Sequence, residues 1–267
     1  TMAMPISTWE PQRDIGTCGE DGEKCLKRAR THWDEIQSVA EDHYDRSADC
    51  SFTTFVGYEY TGLPNWSSYH RNVLFRNAMV PALPVSYIEA PQDYLLWESL
   101  RRDCLDGMEG CDVLAIPHNS NLSNGLLLNP LYPEFDTLEE QSEHAHHRRD
   151  MEPLVEIFQH KGNSECFNDI SNILGEPDEL CNFEQQRKIG PGREIQGRII
   201  PATEDCGDGT GVSGVLNGGC VSRHDFVRSS LLVGLKEKAR LGINPFKYGF
   251  IASTDTHLSI PGAVDEA

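Results

Sequence analysis

Two stretches decide how this chain is read: "EPLVEIFQHKG", residues 152–162, and "GFIASTDTH", residues 249–257. Each is a short apolar run that ends in side chains able to bind a cation. Leu154, Val155, Ile157 and Phe158 lead to His160, and the second run leads to Asp255 and His257. Short continuous apolar runs bounded by polar residues suit strands covered on both faces, as in a parallel sheet. A strand anchored in the core would hold the Asp and His at its end rigidly over a site.

The pattern recurs on either side. "CDVLAIPHNSN", residues 111–121, ends in His118 and Asn119. "CSFTTFVGYEYTG", residues 50–62, is rich in β-branched and aromatic residues and carries Glu59, and "HRNVLFR", residues 70–76, is a second strand beginning at His70. Helices are predicted between these strands. Residues 24–46 place Leu26, Trp33, Ile36, Val39 and Ala40 at three- and four-residue spacing. "PQDYLLWESLRRDC" follows Pro91, and "LEEQSEHAHHRRD", 138–150, is polar throughout. In "SRHDFVRSSLLVGLKEKARLG", Ser222 and Asp225 match a capping box and Gly242 a terminal glycine. Alternating helices and strands predict an α/β fold with a mostly parallel sheet. Residues 1–30 read as an irregular segment, 31–267 as one domain, and 163–221 as a Cys- and Gly-rich insertion within it.

Parallel strands present their C-terminal ends on one face, so Glu59, His70, His118, Asp255 and His257 are expected to converge there. Imidazole and carboxylate together suit zinc, manganese or iron. One to three such ions would activate a water for hydrolysis. His160, Lys161, Glu165, Arg71 and Asn119 are the candidates for contacting substrate or supporting the ligands. A single His at a strand end is commonly just a hydrogen-bonded residue, so the recurrence carries the argument. His144 and His146 sit in the polar helix and are expected on its solvated face. The chain has no GxSxG, P-loop or HExxH sequence, and no organic cofactor is expected.

The formal net charge of −19 disfavours nucleic acid and anionic membranes as partners. No apolar run is long enough to span a bilayer. Eight of the nine cysteines form local pairs: 18 with 25, 104 with 111, 166 with 181, and 206 with 220. The intervening loops are rich in Gly, Asp and Asn and have no core of their own, so disulfides and an oxidising compartment, periplasmic or extracellular, are expected. Cys50 is left over and is expected to be a buried thiol.

Five stretches, "FTTFVGYEYT", "HRNVLFR", "DVLAIPHNSN", "EPLVEIFQHKGNSE" and "GFIASTDTH", together resemble the polymerase and histidinol phosphatase (PHP) superfamily. Within it they resemble the branch called domain of unknown function 3604. The resemblance runs from about residue 31 to the end. It implies a distorted (β/α)7 barrel with two or three metals at the C-terminal face, and hydrolysis of phosphoesters. Glu59 matches the bridging Glu of the second motif and His70 the His after it. His118 matches the third motif, and Asp255 and His257 the fourth, Asp-x-His. His160 and Glu165 belong to the "HKGNSE" element of this branch. The superfamily's opening His-x-His is not found at a strand end before residue 52, so a partial barrel, cut at both ends, is expected. The expected substrate is a small phosphate ester. Carboxylic esters, lactones or amides on the same metals are the alternative, as is a degenerate barrel that binds without turnover.

Overall fold

The computed structural model describes residues 7–168, 170, 177–195, 198–200 and 202–258; the terminal "GAVDEA" lies outside them. The chain divides into two compact units, 1–62 with 71–115, and 63–70 with 116–267.

The first unit is built around a long helix and three strands. Asp14 caps the short helix α1 (Ile15–Cys18) by accepting from the Thr17 N–H, and the Cys18–Cys25 disulfide ties α1 to α2 (Glu23–His43). The buried side of α2 is set by Trp33 and Ala40, seven residues or two turns apart. The Trp33 indole packs edge-on to Tyr58 and Phe75 and donates to the Pro81 carbonyl at 2.8 Å. Ile36 and Val39, expected inward, lie on the open side with Phe52 and Phe55, where they line a groove of about 620 Å³. β1 (Val56–Tyr60) pairs with β2 (Arg71–Phe75), and β3 (Val113–Pro117) lies on the far side of β2. α3 (Asp93–Leu100) continues into a wider π-turn, Arg101–Leu105, stapled by Cys104–Cys111.

The second unit holds the strands quoted first. α4 (Leu138–Met151) begins at a capping box formed by Thr137 and Glu140 and leads into β4 (Leu154–Gln159). β4 pairs with the two-residue β5 (Gly162–Asn163) on one side and with β10 (Gly249–Ala252) on the other. Leu128, Val155 and Val227 form the centre of its core. The insertion carries two ribbons, β6 (Arg193–Ile195) with β7 (Arg198–Ile200), and β8 (Thr203–Asp205) with β9 (Gly219–Val221). The disulfides Cys166–Cys181 and Cys206–Cys220 close its loops. Ser222 and Asp225 do form a capping box, on a 3-10 turn just ahead of α5 (Val227–Leu241), and Gly242 ends α5 with φ +81°.

The expected barrel is not what forms. Among the described residues the strands make small sheets of two or three, with no closed barrel, and parallel pairing does not dominate. β1–β2, β4–β5 and β6–β7 are antiparallel; β4–β10 and β8–β9 are parallel. Chain length explains the first pair. Only residues 61–70 separate β1 from β2, and a parallel crossover needs a dozen or more. β10 differs from expectation too: all four of its residues are exposed, so it is an edge strand and not a core one. Cys50 is free, as expected, but exposed. His144 is buried against the rings of Tyr132 and Phe135, while His146 is exposed as predicted.

Candidate metal centre

In the second unit, β4 and β10 run side by side and deliver ligand-type residues to one end. Their register pairs Gly249 with Leu154, Phe250 with Val155 and Ile251 with Glu156, then slips so that Ala252 faces Phe158. A slip of this kind twists a strand and re-aims the side chains beyond it. The pairing continues loosely past the strand, with the His160 N–H donating to the Thr254 carbonyl at 3.4 Å. Asp255 then adopts φ +53°, a left-handed conformation that short polar side chains tolerate.

The result is a three-residue cluster. His160, Asp255 and His257 each offer a ligand atom, and these atoms all lie within 4.8 Å of one another. Asp255 is the enclosed member, its side chain 13% exposed against 46% for His160 and 63% for His257. The Asp255 Oδ2 accepts from Gln159 Nε2 at 2.9 Å and from the Lys161 ammonium. The Asp255 carbonyl meets the His257 Nδ1 at 2.9 Å. One carboxylate and two imidazoles form a donor set that suits zinc, manganese or iron.

A second group lies deeper in the same unit. The His118 N–H, at the end of β3, bonds the His70 carbonyl at 3.4 Å, and the two rings are 5.4 Å apart. His118 is buried, and its Nδ1 lies 3.7 Å from Oε2 of Glu156. The same carboxylate accepts from the Asn119 N–H at 3.0 Å, and Asn119 is held at φ +57°. Burial pushes the Glu156 carboxyl up to about 7 against the pull of His118, and nearby Asp255 pushes the same way. Glu156 thus stands between the two groups of histidines.

The remaining expected residues also have partners of their own. Glu59 lies in β1 of the first unit, half-buried, and accepts from the Thr61 hydroxyl at 2.8 Å. Arg71 begins β2 of that unit, fully buried and paired with Asp93 at 3.0 Å. Glu165 pairs with Arg228, which also binds Asp178. Of two further residues of the centre, Gln159 is not among those expected from the sequence, and Glu156 reads there as a ligand-type residue inside its strand without an assigned role. Both are polar positions in the otherwise apolar β4, and that was the available signal.

The cysteine pairs form the four expected disulfides. They favour an oxidising, extracellular or periplasmic compartment. Among the described residues no helix is long and apolar enough to cross a membrane.

Comparison with the curated proteins gave no match, and neither did comparison with the solved structures. One family model matches residues 3–267, almost the whole chain, and the protein therefore belongs to the family described as protein of unknown function (DUF3604).

Proposed function

We propose that this protein is a metal-dependent hydrolase with a phosphate ester as its substrate. The observation that carries the reading is the meeting of His160, Asp255 and His257 at the ends of two neighbouring parallel strands. These three residues would hold a divalent zinc, manganese or iron ion, and His70 and His118 would supply ligands for a further one. When bound, such an ion supplies Lewis acidity, polarising a phosphoryl or carbonyl oxygen and acidifying a water.

The chain's own residues have distinct tasks in this reading. Gln159 fixes the Asp255 carboxylate through one oxygen. Lys161 brings a positive charge to the same place, where it would meet an anionic substrate oxygen. Glu156 holds a proton that exchanges near neutral pH, and its Oε2 beside His118 suits a general acid or base. Asn119 and Glu165 keep that carboxylate and the Arg228 guanidinium in place. The preference for phosphorus over carbonyl carbon comes from the resemblance of the five stretches to polymerase and histidinol phosphatase proteins. Glu59 keeps its expected ligand role on that resemblance.

The test is elemental analysis of the purified protein, followed by hydrolysis assays with added manganese or zinc. The assays compare p-nitrophenyl phosphate with carboxylic esters, lactones and amides. Metal uptake with turnover of the phosphate ester is expected. Turnover confined to carboxylic substrates would overturn the substrate class, and failure to take up any metal would overturn the hydrolase.

A further inference from the structure

The segment that begins at His118 is unusual for a loop. Residues 118–125, "HNSNLSNG", are buried without exception although most are polar. A buried loop must find partners for its polar groups inside the protein. Here one residue about a hundred positions away in sequence, Asp225, supplies three of them. Oδ1 of Asp225 accepts from the Ser123 hydroxyl at 2.7 Å and from the Gly125 N–H at 2.6 Å. Its Oδ2 accepts from the Ser222 N–H at 3.0 Å, and its backbone carbonyl accepts from the Ser120 hydroxyl at 2.8 Å. Asp225 is fully buried, and Arg187 faces it at 3.6 Å.

The other end of the loop is tied to β4 and the turn after it. The Asn119 N–H reaches Glu156, and the Asn121 side-chain amide donates to the Lys161 carbonyl at 3.0 Å. The loop is therefore stretched between the strand that leads to His160 and a single buried carboxylate. His118 is its first residue. A carboxylate has several acceptor positions and no donor, so it matches the hydroxyl and N–H donors that surround it.

We propose that Asp225 is a positioning residue of the metal centre, holding the 119–125 loop so that the His118 ring keeps its place beside Glu156. The proposal rests on the reading of His118 as part of that centre. It gives the Cys-rich insertion a task as well. The Arg187 guanidinium, Ser222 and the Cys220 carbonyl, which accepts from the Asn124 amide at 2.7 Å, all come from its length or its close.

The experiment compares Asp225→Asn, the milder Ser123→Ala and Met151→Ala. The last removes a buried side chain that takes no part in these bonds. Two readouts are taken: hydrogen exchange of amides 118–125, and the affinity and visible spectrum of added cobalt(II). Asp225→Asn is expected to speed exchange in 118–125 roughly tenfold or more and to weaken cobalt binding about tenfold with an altered spectrum. Ser123→Ala should move both the same way by less, and it carries the test if Asp225→Asn does not fold. Met151→Ala should lower the melting temperature and move neither. The proposal is overturned if Asp225→Asn or Ser123→Ala folds with unchanged exchange and spectrum, or if Met151→Ala changes them equally. If the unmodified protein binds no cobalt, the metal reading fails, and the exchange of 118–125 alone decides the placement of Asp225.

Discussion

β4 and β10 are neighbours in one sheet, run in the same direction and both end in ligand-type residues, yet they are built differently. Val155 at the middle of β4 is fully buried, and the strand is covered by the core of Leu128 and Val227. β10 is an edge, with Phe250 and Ile251 open to solvent. In β4, packing holds the residues of the site. In β10 the strand itself is weakly held, and Asp255 is fixed after it by Gln159, Lys161 and its own left-handed backbone. Rigidity at a site therefore has two sources here, burial of the strand and hydrogen bonding of the ligand.

The largest effect should come from the chain just ahead of β10. Phe246 is fully buried beneath the Arg148 guanidinium, while Phe250, four residues on, is 55% exposed. Phe246→Ala is expected to cost about 3–5 kcal/mol in denaturant unfolding, and Phe250→Ala no more than about 0.5 kcal/mol. Equal losses would break the contrast between core and edge. Next in size is Asp255→Asn, which should weaken divalent-metal binding about a hundredfold by calorimetry while leaving metal-free stability nearly unchanged.

A pH titration sharpens the buried side. Burial pushes the Asp225 carboxyl up to about 6 although Arg187 faces it. A carboxyl with a raised folded value stabilises the protein fully below its unfolded value near 4, and that stability is lost as pH rises through about 6. The loss should be on the order of 2 kcal/mol, and Asp225→Asn should remove this part of the slope. The smallest effect is at Gln159. Replacing it by Leu removes its bond to Asp255 and the one its Oε1 accepts from the Lys161 N–H, and should weaken metal binding about tenfold and cost about 1 kcal/mol in thermal unfolding.

Much of this was legible in the sequence, and the reasons differ by residue. α5 was readable because its signals are local: the capping pair Ser222 and Asp225 before it and Gly242 after it. The disulfides were readable because each closes a short loop of residues with no other means of folding. The ligand cluster of β10 was readable as a pairing of residue types, Asp and His two apart. Burial was not. "GFIA" has the composition of a core strand, and only sheet order shows that it lies at an edge. His144 misled in the opposite sense, because its helix has no apolar face and the rings that cover it, Tyr132 and Phe135, come from the segment before. Strand direction in β1–β2 could have been found, since ten intervening residues are too few for a parallel return. Asp225 as the holder of a loop a hundred residues away left no trace beyond its place in a helix cap.

The parallel pairing of β4 with β10 also has a kinetic side. Gln159 and Asp255, which bond each other, are 96 residues apart in sequence, and contacts over such spans form slowly because a long loop must close first. During synthesis from the N-terminus, β4 and the first histidines emerge well before β10. The His160, Asp255 and His257 cluster thus assembles only once β10 has emerged, and until then a nascent chain would keep these three side chains apart.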